Sequence, residues 1–202
     1  MKECVKAILG LGNPGREYER SRHNLGYMIV DNILLAHNAT LRAGNGEFLY
    51  AKIDIDGKQI FLLRSTTYMN YSGIGAYDAC ECLDINPDEL LVVLDDFALE
   101  FGNLRIRRSG SDGGHKGLAS VIYHLGTENI PRLRIGIGPL PEGVDAVNFV
   151  LGEFDDRELE ALPKIIEKAS DAAIMCAIKG IQRAMEVYNR RSKPNGIESE
   201  ER

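Results

Sequence analysis

The sequence predicts a single α/β domain: a mixed, mostly parallel β-sheet flanked by helices, with a long C-terminal helix. Three observations predict it. Strand-like apolar segments alternate with segments of helical apolar spacing along most of the chain, the pattern of a sheet joined by crossover helices. One strand segment, Leu90-Leu91-Val92-Val93-Leu94, is apolar at every position, as expected of a strand covered on both faces. A chain of 202 residues is long enough for one substantial core and short for two.

In chain order, residues 5–9 read as the opening strand and residues 25–37 as a helix. Residues 48–55 and 59–63 flank Asp56-Gly57, a pair that suits the tight turn of a β-hairpin. A helix is expected over 73–83, strands over 90–94 and 104–108, a helix over 117–125 and a strand over 133–137. Asp155 and Glu158 make a capping-box pattern, after which Leu162, Ile166, Ala169, Ala173, Ile181, Met185 and Tyr188 keep a helical spacing. One continuous helix to about residue 190 follows from that spacing, with Pro163 in its first turn or at a kink. The polar residues 192–202 are expected to be a tail on a domain spanning 1–191.

A hydrophobic share of 44% and a charged share of 27% are those of a globular protein folded in water. Every apolar run falls far short of the roughly 18 residues that a bilayer span requires. Met1-Lys2-Glu3-Cys4 leads straight into the first strand without a secretory pattern, so a cytoplasmic protein with no membrane partner is expected. Cys4, Cys80, Cys82 and Cys176 lack paired C-x-x-C spacing and read as reduced thiols. The net charge of -6 argues against a general nucleic-acid coat protein, yet its distribution is uneven. Between 102 and 134, Arg105, Arg107, Arg108, Lys116, Arg132 and Arg134 face only Asp112 and Glu128, a local excess of four positive charges.

Gly10-Leu11-Gly12-Asn13-Pro14-Gly15 follows a strand and satisfies G-x-G-x-x-G, with Asp31 further on, as in a dinucleotide-binding fingerprint. That reading needs an apolar-faced helix directly after the glycines. The segment contains Pro14 and the polar run Arg16-Glu17-Tyr18-Glu19-Arg20-Ser21-Arg22-His23, which cannot pack on a sheet. The glycines instead let the chain turn sharply at the carboxyl end of a buried strand, where open α/β sheets place their ligands. That ledge presents Asn13 and His23.

These residues resemble the bacterial-type peptidyl-tRNA hydrolase family. Its opening blocks stand here as Gly10-Leu11-Gly12-Asn13-Pro14-Gly15, Tyr18 and Arg22-His23-Asn24-Leu25-Gly26. Thr66-Thr67-Tyr68-Met69-Asn70-Tyr71-Ser72-Gly73 resembles the second motif, T-x-M-N-x-S-G, although Arg64-Ser65 replaces the usual Lys-Pro before it. Asp95-Asp96, Gly113-Gly114-His115, the stretch from Arg132 to Gly138 and the stretch from Phe149 to Phe154 follow in the family's order, so the blocks run from about residue 6 to 154. The clearest departure is Lys116, where the family usually carries asparagine.

The resemblance implies an esterase that hydrolyses the bond between a peptide and the 3'-terminal ribose of tRNA, releasing both, and that works as a monomer with no metal or other cofactor. His23 is then the general base on water, Asp95 its support, Asn70 the holder of water or oxyanion, and Asn13 the contact to the substrate's peptide group. Tyr18 and Tyr68 are expected against the terminal adenosine and peptide, and Arg105, Arg107 and Arg134 against phosphates of the acceptor region. Lys116 is expected to turn outward to a phosphate or the terminal ribose, since an ammonium aimed at His23 would weaken the base. His37 and His124 read as helix surface or packing residues, His115 as a hydrogen bonder of its glycine-rich turn, and Asp96 as solvent-facing. Two other readings stand beside this one: an inactive RNA-binding relative on the same scaffold, and a nucleotide-binding enzyme.

Overall fold

The computed structural model describes residues 5–189. The chain runs β1 (Ala7–Gly10), α1 (Leu25–Ala36), β2 (Arg42–Ala43), β3 (Phe48–Ile55) and β4 (Lys58–Ser65). It continues through α2 (Ser72–Leu83), β5 (Leu90–Glu100), β6 (Leu104–Arg107), α3 (Lys116–Leu125) and β7 (Arg132–Gly138). It closes with α4 (Ala146–Leu151), α5 (Asp156–Lys179) and α6 (Ile181–Tyr188). The seven strands form one sheet in the order β2-β3-β4-β1-β5-β7-β6. The central strands β4, β1, β5 and β7 are parallel, while β3 and β6 run antiparallel to their neighbours.

Successive strand residues point to opposite faces, and here both faces are covered. Ile8, Leu91 and Val93 join α1 and α5 in one apolar cluster; Ala7, Leu9, Leu90, Val92 and Leu94 join α2 and α3 in the other. That is why the Leu90 to Leu94 run carries no polar residue. The β3–β4 hairpin turns where the sequence predicts, with Asp56 at φ 53° and Gly57 at φ 75°, two positive values that Asp-Gly accommodates at low cost.

Three expectations about elements need correction. The C-terminal helix is interrupted at Gly180, whose φ of 89° and ψ of 156° leave the helical region. Apolar spacing missed the break because α6 is itself amphipathic. Its end is tied to the sheet edge instead, where Asn189 Oδ1 accepts from Ile106 N–H (2.7 Å) and Asn189 Nδ2 donates to Ile106 O (3.0 Å). Pro163 lies within α5, beyond its first turn, while the helix starts at the expected capping box of Asp155 and Glu158. The fifth strand does not stop at Leu94 but runs to Glu100, with its register against β7 shifting between Asp96 and Glu100. The short α4 has too few turns to leave a readable period, and the sequence did not announce it.

Cys80, Cys82 and Cys176 are free thiols, and burial pushes Cys80 and Cys176 up to about 12. Among the described residues no helix is long and apolar enough to cross a membrane. Cys4, the expected tail and the last residues of the expected domain lie outside the described residues.

Candidate active site

A cleft of about 380 Å³ opens beyond the carboxyl ends of the central parallel strands. Two glycines make it possible by letting α1 start directly on the sheet. A Cβ on Gly10 would lie 2.2 Å from Gly26 O, and one on Gly26 would lie 2.4 Å from Val93 O. The glycine-rich motif therefore serves close backbone packing. Residues Arg16–Tyr18 and Arg22–Asn24 form short 3-10 turns, and no helix follows Gly15 until Leu25. Asp31 does not face a ribose site but pairs with Arg64, and Arg64 also lies over the Tyr27 ring at 4.5 Å. Tyr27 in turn donates to Ser65 O (2.5 Å), and its ring sits where a Gly12 side chain would go. The Arg64-Ser65 departure thus packs the floor beneath the ledge that presents Asn13 and His23.

His23 and Asp95 meet as expected. His23 Nδ1 lies 2.9 and 3.1 Å from the two Asp95 oxygens, and both residues are buried. Burial alone would raise the Asp95 carboxyl, but the charges and hydrogen bonds of His23 and His115 outweigh it and hold the group well below the usual carboxylate range. An ionised carboxylate only accepts, so Nδ1 of His23 carries the proton and Nε2 is left as the basic nitrogen.

His115 does more than steady its turn. Its Nδ1 accepts from Leu118 N–H (3.2 Å) and caps α3, which puts the remaining proton on Nε2, 3.2 Å from Asp95 Oδ1. The ligand atoms of His23, Asp95 and His115 lie within 4.8 Å of one another. Binding an ion there would take His23 Nδ1 from Asp95 and require a His115 tautomer that opposes the Leu118 N–H. The donor pattern favours a proton-handling triad over a metal cage. Nothing in the spacing of His115 signals this second contact.

Asn13 is buried, and its backbone N–H and C=O are both held by the Asn24 side chain at 2.7 and 2.9 Å. Its Oδ1 accepts from Met69 N–H at 2.7 Å, which leaves Nδ2 as the donor facing the cleft. Asn70 follows Met69 and lines the same cleft, exposed. Tyr18 and Tyr68 stand edge-to-face at the rim, centroids 6.3 Å apart. Leu94, Phe97, Val147, Val150 and Leu151 give the cleft an apolar wall.

Of the basic residues, Lys116 stands exposed at the cleft rim as the first residue of α3. Arg134 lines the cleft and pairs with Asp96, so Asp96 is not the solvent-facing carboxylate expected from sequence. Arg105 sits opposite Arg134 and exposed Arg107 opposite Arg132 on the edge strand β6, outside the cleft. Arg132 is withdrawn from any RNA face: it is buried and donates to the carbonyls of Ile130, Gly110, Ser111 and Glu128. It braces the loop that carries His115.

A further residue escaped the sequence reading. Arg22, beside His23, lies over Phe149 (4.6 Å) and Phe154 (5.5 Å), and its Nη2 is 2.5 Å from Glu158 Oε2. Glu158 Oε2 also accepts from Asp155 N–H (2.8 Å) in the α5 capping box. One carboxylate oxygen therefore joins the start of α5 to the turn that carries His23.

The sequence profile described as peptidyl-tRNA hydrolase matches residues 7–196. Peptidyl-tRNA hydrolase of Thermotoga maritima is 42% identical over 182 residues, covering 90% of this chain and 96% of that protein. The Aquifex aeolicus protein of the same name is 41% identical over 195 residues, covering 92% and 97%. The crystal structure of peptidyl-tRNA hydrolase from Acinetobacter baumannii superposes with a TM-score of 0.87 at 30% identity, covering 95% of this chain and 97% of that one.

Proposed function

The chain belongs to the peptidyl-tRNA hydrolase family, and from that membership we propose a role for each residue of the cleft. The reaction is hydrolysis of the ester between a peptide and the 3'-terminal ribose of tRNA, releasing both. One observation carries the assignment: His23 Nδ1 is bonded to buried Asp95, so Nε2 is the free basic nitrogen at the ester site.

His23 Nε2 takes a proton from water as the water oxygen attacks the ester carbonyl. Asp95 fixes the tautomer and stabilises the imidazolium that forms. The C–O bond to ribose then breaks, and the imidazolium returns its proton to the departing 3'-oxygen. Asn70 holds the water or the developing oxyanion with its amide. Asn13 Nδ2 donates to a peptide carbonyl of the substrate. An aminoacyl ester with a free ammonium lacks that carbonyl and would leave a buried N–H without a partner, so it is a poor substrate. Tyr18 and Tyr68 hold the terminal adenosine, while Lys116, Arg105, Arg107 and Arg134 attract the phosphates by charge and shape. These steps call on no metal or cofactor, and one copy of the chain supplies every residue named.

The test is His23→Ala assayed on peptidyl-tRNA. Turnover falls by roughly 10²- to 10⁴-fold, the usual contribution of a general base, with tRNA affinity little changed. Wild-type turnover in the folded variant would overturn the assignment.

A further inference from the structure

Four of the chain's eight tyrosines stand exposed on α2, on α3 and in the turn that precedes α2. Tyr68 and Tyr71 flank the turn before α2, Tyr77 lies on α2, and Tyr123 lies on α3 at 81% exposure. A lone exposed tyrosine is ordinary; here Tyr68 lines the cleft and the other three stand on the elements that follow it and on α3.

The local packing brings two of them to one crossing. Gly73 N–H donates to Ser120 Oγ (3.0 Å), and a Cβ on Gly73 would lie 2.5 Å from His124 Nδ1, so α2 starts directly on this turn of α3. Tyr71 precedes Gly73 by two residues. Tyr123 stands edge-on to the His124 ring at 5.2 Å. Both therefore flank the same α2–α3 contact, and each leaves more than half of its surface exposed.

Charge links this crossing to the cleft. Lys116 lines the cleft, and it is seven residues before Tyr123, so the two share a face of α3 about 10 Å apart. The helix carries no acidic residue, and Lys116 has no ion pair among the described residues. A cation in the first turn also opposes the helix dipole, a cost that packing does not explain. A stacked nucleic-acid strand rises about 3.4 Å per nucleotide, so about three nucleotides span the distance from Lys116 to Tyr123.

We propose that the face formed by Tyr71, Lys116 and Tyr123 holds the unpaired nucleotides just upstream of the esterified one. Bases stack on the two rings, and Lys116 meets the phosphates between them. The proposal rests on the reading of the cleft as the ester site and extends it from one nucleotide to a short single strand. Stacking tolerates any base, so this face adds affinity without sequence choice.

The experiment compares kcat/KM for two substrates: an N-acetylaminoacyl ester of adenosine, and the same ester at the 3' end of a trinucleotide. Wild type prefers the trinucleotide. Tyr71→Ala with Tyr123→Ala lowers that preference by about five- to a hundredfold, the range for losing base–ring stacking, whereas Tyr71→Phe with Tyr123→Phe keeps it. A wild-type preference retained in the folded alanine variant overturns the proposal and returns these tyrosines to contact with a protein partner. Equal efficiency of wild type on both esters overturns it as well, with the cleft assignment intact. If wild type hydrolyses peptidyl-tRNA but neither short ester, this extension is overturned with the cleft reading intact; if it hydrolyses none of the three, the cleft reading falls as well.

Discussion

His115 Nε2 stands 3.2 Å from Asp95 Oδ1, the same oxygen that holds His23 Nδ1 at 2.9 Å. One buried carboxylate thus serves two imidazoles that approach it from different loops. Its charge is divided between them, and both bonds require it as an acceptor.

Asp95→Asn breaks that symmetry, because an amide cannot accept from both N–H groups without turning its own donor toward one of them. Turnover is expected to fall by roughly 10²- to 10⁴-fold through the wrong His23 tautomer. The stability effect has a definite sign. The carboxyl is held below its ordinary value in the folded chain, so its contribution is complete above about pH 4 and is lost as pH falls toward the depressed value. Melting temperatures taken from pH 3 to 7 should show the gap between wild type and Asp95→Asn narrowing below about pH 4. A constant gap would disconnect Asp95 from the two histidines.

Asn13 offers a substitution that separates fold from specificity. Asn13→Asp keeps an oxygen to accept from Met69 N–H, so the ledge is retained, but it loses the Nδ2 donor. The rate advantage of N-acetylated over free aminoacyl-tRNA should shrink at least tenfold, on the order of one lost hydrogen bond to a buried group. An advantage equal to that of wild type would make Asn13 a turn residue only.

Breaking the pair of Arg22 and Glu158 should cost more than a surface ion pair does, because both side chains are largely covered. Glu158→Ala is expected to destabilise by about 3 kcal/mol, since it leaves a buried guanidinium uncompensated and removes a helix cap. It should lower kcat more than it changes KM, by loosening the turn under His23. Arg22→Met combined with Glu158→Met recovers most of the stability. If the double variant melts lower than either single one, the pair is not coupled.

The basic residues sort by position. Arg105→Ala with Arg107→Ala should reduce the slope of log affinity against log salt by about two, one for each phosphate contact removed. Lys116→Asn should weaken tRNA binding and its salt dependence while leaving turnover equal or higher. Collapse of turnover at unchanged affinity would place the Lys116 ammonium in the chemical step.

Local physics made much of this protein legible in its sequence. The alternation of strand and helix periods, the Asp56-Gly57 turn and the Asp155–Glu158 cap depend on residues within a few positions of one another, and each stands where expected. The unbroken apolar run at 90–94 reported a doubly covered strand for the same reason. The blocks around Asn13, His23, Asn70 and Asp95 pointed to one cleft, and the fold brings those residues to it.

What the tertiary structure decided is who shares a partner. Nothing within a few residues of His115 says that its ring will reach Asp95, or that Arg132 will spend its charge on four loop carbonyls while Arg134 meets Asp96. Nor does any short-range pattern join Arg22 to Glu158, which is 136 residues away. A helical period likewise passes through Gly180 without a mark, because apolar spacing records which face is buried and is silent on whether the axis continues. Side-chain chemistry states what each group can bond, but only the packed backbone sets the distances, and hydrogen bonds and ion pairs act over a few ångströms.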